Sequence, residues 1–125
     1  MENKYLTLDK IAAYKTAFKL NNYIWKIVVN WENFDRWTVG QQLVRSADSI
    51  SANIAEGFGR YHKKDKIKFY RYSFGSMEET KDWIRKCIIR VLISEEQKEY
   101  IIKELEKVPK EINHLIKYTN DKLKF

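Results

Sequence analysis

One cysteine, one proline, four glycines and two histidines are all that these 125 residues hold of the types that build disulfides, tight turns and metal sites. A lone thiol, Cys87, excludes an internal disulfide. So few glycines and prolines leave little material for the many turns of a sheet-rich fold, and this favours helices. No apolar run approaches the roughly 18 residues that suggest a membrane span, and no charged leader precedes an apolar stretch and a small-residue cleavage site. A soluble, cytoplasmic protein with no membrane association is expected. His62 and His114 lie far apart with no metal-ligand spacing around them, and Gly57 and Gly59 lack the strand, lysine and helix of a phosphate-binding loop. No metal, cofactor or enzymatic centre is therefore expected. A nuclease built on His62 and neighbouring lysines is the weakest reading, because it needs a second acid or base within reach.

What is present is 44% hydrophobic and 33% charged, the balance of a globular chain, and the length suits one domain spanning residues 1–125. Apolar residues recur at alternating steps of three and four, which is the spacing of a helical seam. A first helix is expected over about 8–29, with Ala13, Ala17, Leu20, Ile24, Ile27 and Trp31 inward and Thr7 and Asp9 at its start. The linker from Trp31 to Trp37 carries three aromatics. These are read as a plug for the open end of a bundle, with base stacking as the alternative. The last helix starts at a Ser94 cap followed by Glu95, Glu96 and Glu99, and runs its seam through Ile101, Leu105, Val108, Ile112, Leu115 and Thr119. Pro109 should kink or break it. Four such helices with short linkers predict an all-α, antiparallel, up-and-down four-helix bundle.

The stretch from Val39 to Gly59 is the organising helix. Leu43, Ala47, Ile50 and Ile54 mark its inward face, and the small residues Ser46, Ser51, Ala52 and Ala55 around them let a neighbour come close. Gly57 and Gly59 are expected to end it in a left-handed backbone. A third helix follows over about 63–92, facing inward with Phe69, Tyr70, Ser73, Ser76, Met77, Thr80, Ile84, Cys87 and Val91. Gly75, mid-helix, costs up to about 1 kcal/mol relative to alanine. A close helix crossing at Gly75 and Ser76 would offset that cost. Asn53 is expected to bond to a neighbouring helix, and Glu56 to pair with Arg45, Arg60 or Arg71, because a partly buried carboxylate without a cation is costly.

The net charge of +7 is unevenly spread. Residues 60–72 hold six basic side chains and one acidic one. The basic six are Arg60, Lys63, Lys64, Lys66, Lys68 and Arg71, interleaved with Tyr61, His62, Phe69, Tyr70 and Tyr72. At helical spacing Lys64, Lys68 and Arg71 share one face, a geometry suited to a phosphate backbone.

Gln42, Leu43 and Arg45, then Ser49, Ile50, Asn53, Ile54, Ala55, Glu56 and Gly57, then Gly59, Arg60, Lys63, Lys64, Asp65 and Phe69, and finally Gly75, Ser76 and Glu79 form an ordered pattern. In this the chain resembles the bacterial four-helix bundle family associated with intervening sequences of large-subunit ribosomal RNA genes, to which the accessory variability determinant of diversity-generating retroelements is related. It departs from that pattern in having Trp31 and Glu32 for Phe-Pro, Ser51 for a proline, and Ser73 and Phe74 for an alanine-arginine pair. The last change removes one candidate phosphate contact. The resemblance implies a homopentameric barrel with a basic surface suited to nucleic acid. The expected function is non-enzymatic binding of RNA or DNA; the alternative is an interaction scaffold for an acidic partner or a nucleic-acid enzyme.

Overall fold

Four long helices account for most of the chain in a computed structural model that describes residues 6–124. They are α1 (Ala12–Val28), α2 (Gln41–Gly59), α3 (Lys63–Ile89) and α4 (Glu95–Lys122), and no strand occurs among the described residues. Each helix packs on the one before and the one after it, and α4 closes the ring against α1. Their inward stripes meet in one core. Leu20 and Ile24 from α1, Leu43, Ile50 and Ile54 from α2, Tyr70 and Met77 from α3, and Ile101, Leu105, Val108 and Ile112 from α4 are almost entirely shielded from water. Burying each large side chain contributes about 1.5–3 kcal/mol, so the alternating three-four spacing is the main determinant of the fold.

The seam between α2 and α3 is small and polar. Ser46, Ser73 and Thr80 are fully buried, and their hydroxyls stay satisfied. Ser73 donates to the Ile50 carbonyl across the seam, and Thr80 donates to the Ser76 carbonyl at 2.8 Å while its oxygen lies 3.0 Å from Ser46 Oγ. Close approach without orphaned polar atoms results.

Gly57 belongs to this seam as well, for a reason other than backbone freedom. Neither Gly57 nor Gly59 adopts a left-handed conformation; α2 ends because Arg60 turns extended, with φ −77 and ψ 152. A Cβ on Gly57 would lie 2.7 Å from the Tyr70 ring and 2.9 Å from the Lys66 carbonyl oxygen. Gly75 is placed the other way round from the expected helix crossing. It is exposed, a Cβ there would meet nothing within 4 Å, and Ser76 is only half-buried beside it.

Other expectations shift by less than a turn. Ile27 is half-buried and Val28 takes its place in the core. The linker coils into a helical turn, Asn33–Asp35, and a π-helical stretch, Arg36–Gly40, that lead directly into α2. Gly40 allows this, since a Cβ on it would come 2.7 Å from Val28 Cγ1. Trp31 packs against the core, but Phe34 and Trp37 are 78% and 65% exposed and plug nothing. The third helix stops at Ile89, so Val91 is not inward: it is 83% exposed. At the other boundary Ser94 and Gln97 form a reciprocal capping box, and α4 then continues through Pro109 without a break.

Candidate nucleic-acid interface

The six cations of residues 60–71 divide into two groups. Lys66 lies against the end of α2, where its Nζ donates to the Phe58 carbonyl at 2.7 Å and sits 5.4 Å from the Phe58 ring centre. Burial there lowers its pKa below the usual lysine value. Lys63 donates to the Asn120 carbonyl in the last turn of α4 at 3.1 Å. Both ammonium groups thus meet the negative ends of helix dipoles and satisfy carbonyls that lack an intrahelical donor. Arg60 pairs with Glu56 one turn back at 2.8 Å, and its guanidinium lies 4.6 Å from the Phe69 ring centre. These three hold the bundle end together.

Lys64, Lys68 and Arg71 form the other group. All three are exposed on one stripe of α3, at steps of four and three. Lys68 lies 5.6 Å from the Phe69 ring centre, and neither Lys64 nor Arg71 has a hydrogen bond or ion pair among the described residues. At 1.5 Å per residue the three span about 10 Å along the helix. Gly75 continues the stripe, and Glu78 and Asp82 close it with negative charge.

Phe69 is a further residue that periodicity placed wrongly. It is only partly buried, and its ring is shared by Arg60, Lys68 and the edge of Tyr72, whose ring centre is 5.3 Å away. Its three-residue spacing from Tyr72, next to Lys68, was the available signal. Tyr72 and Tyr61 keep half and more of their surfaces exposed, and Tyr61 meets His62 edge to face.

The remaining polar positions have mainly structural partners. Arg45 reaches from α2 to Glu79 on α3 and also donates to Gln42, while Glu79 accepts from Trp83 Nε1 at 3.2 Å. Asn53 does not reach a neighbouring helix; its Nδ2 donates to the Ser49 carbonyl one turn back, at 2.9 Å. Cys87 is buried and its pKa is pushed up to about 11 by that burial, so the thiol stays protonated at neutral pH. Among the described residues no group of three metal-ligating side chains comes together, and no helix is long and apolar enough to cross a membrane.

A closed ring of four amphipathic helices around one core, with a small-residue seam and a basic outer stripe, defines a four-helix bundle protein. The chain belongs to the 23S rRNA-intervening sequence protein family, whose model matches residues 9–114. Among solved structures it is similar to a protein of unknown function from the S23 ribosomal protein family of Bacteroides thetaiotaomicron. The two share 25% identity and a TM-score of 0.75, over 85% of this chain and 99% of that one. No curated protein matches it.

Proposed function

We propose that this protein binds nucleic acid without catalysing a reaction, through the stripe Lys64, Lys68 and Arg71, and that it does so in the cytoplasm as a homo-oligomer of bundles. The observation that carries this reading is that these three cations are exposed and, among the described residues, make no hydrogen bond or ion pair that would hold the fold. Three cations in line on one outward helix face, within the segment that carries most of the excess charge, present a field that phosphates follow. The family's link to 23S rRNA favours RNA over DNA. A pentamer, as the sequence resemblance implies, would repeat the stripe and let modest contacts add. Support for association comes from the opposite end of the bundle, where Phe34, Trp37, Ile89 and Val91 are each at least 65% exposed and suit a second copy of the chain.

Salt-titrated binding to RNA tests the stripe. Each lost phosphate contact should reduce the slope of log K against log salt by about 0.7–0.9, so replacing Lys64, Lys68 and Arg71 by glutamate should lower it by about two to three. Equal binding by wild type and this variant rejects the assignment. Solution mass tests the assembly, and a monomer at micromolar concentration rejects it. The second reading, a scaffold for an acidic protein, draws on the apolar groove of about 360 Å³ between α1 and α2, which Trp25, Trp37 and Val44 line beneath Arg36 and Arg45. It predicts retention of a partner protein at salt concentrations that release RNA.

A further inference from the structure

Gly75 and Tyr72 have no assigned role in the bundle. Gly75 lies outward in the middle of a 27-residue helix, and among the described residues nothing packs against it. Glycine there weakens the helix relative to alanine without any packing return inside the fold. Tyr72 is half-exposed beside it, three residues earlier on the same side of α3 and four residues after Lys68. Helical side chains lean toward the N-terminus, so Tyr72 leans toward Lys68 and Phe69, and the surface over Gly75 stays bare. The result is a notch. One wall is the tyrosine ring, braced by Phe69 at 5.3 Å; the floor is bare helix backbone; exposed Arg71 adjoins the tyrosine in sequence and exposed Lys68 lies one turn before it.

We infer that the stripe takes single-stranded rather than duplex nucleic acid, with one unpaired base stacked on Tyr72 in the notch at Gly75 and the flanking phosphates on Lys68 and Arg71. The inference rests on the binding reading above and specifies its ligand. A duplex hides its base faces inside its stack and could use only the cations. A single strand offers both phosphates and a π-face, and base stacking on an aromatic side chain tolerates any sequence. Phe69 is the positioning residue: it holds the tyrosine ring by edge-to-face contact, and of the two cations Lys68 lies over its own ring. The three-residue step from Lys68 to Arg71 and the adjoining tyrosine fit a ligand followed along α3 for about two nucleotides; longer contacts require further subunits.

The experiment compares a fluorescent oligouridylate with a blunt RNA duplex of the same length, at one salt concentration, against wild type, Tyr72→Ala, Tyr72→Phe, Gly75→Leu and the triple glutamate variant. Tyr72→Ala should weaken single-strand binding about tenfold and leave duplex binding unchanged, while Tyr72→Phe keeps the wild-type affinity. Gly75→Leu fills the notch and should give the same selective loss with undiminished thermal stability, since the position is open. Duplex bound as tightly as the single strand, or loss on Tyr72→Ala that is absent or equal for both ligands, overturns the inference and leaves the basic stripe intact. Wild-type binding by the triple glutamate variant overturns the stripe itself, and the inference with it.

Discussion

The turn between α2 and α3, residues 60–62, and the turn between α3 and α4, residues 90–94, are both short links between neighbouring helices, yet they are held by opposite means. The first is tied by side chains: Lys66 and Lys63 close helix-end carbonyls, Arg60 pairs with Glu56, and Gly57 lets α2 and α3 nearly touch. The second is tied by backbone. Leu92 N–H donates to the Cys87 carbonyl at 2.9 Å and Val91 N–H to the Ile88 carbonyl at 3.2 Å, and the Ser94 capping box then starts α4, while Ile89 and Val91 stand in water. A cluster of like residues is therefore no measure of one role. Half of the basic cluster is structural, and the apolar residues around Ile89 contribute partly to surface.

The first turn should be the more fragile, and Gly57→Ala is the sharpest way to show it. The new methyl would press on a buried ring and on a backbone oxygen, neither of which can swing away. Overpacking of this kind costs up to about 3 kcal/mol, offset only in part by the roughly 1 kcal/mol that alanine gains in a helix. The urea midpoint should fall clearly. An unchanged midpoint would mean that α2 and α3 separate easily, and the contrast between the two turns would lose its physical basis.

Alkaline pH probes both ends at once, because each holds a buried acid. Burial pushes Tyr70, near the first turn, up to about 12, against a smaller opposing effect of its hydrogen bond with Thr119. Burial likewise pushes Cys87, near the second, up to about 11. A raised folded-state value means that the folded protein keeps its proton while the unfolded chain releases it. The contribution is then complete below the unfolded value and disappears as pH climbs through the folded one. Stability should fall from pH 9 to 11 through Cys87 and from 10 to 12 through Tyr70, by up to about 3 kcal/mol each. Cys87→Ala should remove the lower part of that fall and Tyr70→Phe the upper part. A wild-type curve flat to pH 11 would show that neither group is as buried as the structure has it.

The helices were legible because burying a stripe of large apolar residues dominates their placement. All six seam residues named for α4 are buried, and the Ser94 cap sits where the sequence puts it. The glycines were harder, since their role depends on what lies across from them. Local chemistry pointed Gly57 toward a left-handed turn, but its distance to Tyr70 decides its role. Gly75 could have been placed. It lies two residues from both Ser73 and Met77, about 200° around the helix from each, so it must face away from the seam they define. The cations were legible as a cluster and not as two groups, because whether Lys66 meets a carbonyl or a phosphate depends on where Phe58 ends up. Phe34 and Trp37 were misplaced because the linker continues α2 as a π-helical stretch, a local geometry that apolar spacing does not encode.

The smallest expected effect lies at the second turn and has the opposite sign. Val91 has φ 56, the left-handed region, and two backbone bonds fix it there as the residue that ends α3. That conformation costs a non-glycine residue about 1–2 kcal/mol, and β-branching adds crowding. Because the side chain is 83% exposed, Val91→Gly gives up almost no burial in the protomer. The strain it relieves exceeds the roughly 0.5–1 kcal/mol that glycine's added chain entropy costs, for a net gain of about 0.5–1 kcal/mol. Unfolding in urea at low protein concentration should therefore shift to a higher midpoint, and Val91→Ala should gain less. If the glycine variant is instead less stable, and increasingly so as protein concentration rises, Val91 is covered by a second copy of the chain. The apolar turn would then be an assembly contact whose burial outweighs the strain of a left-handed valine.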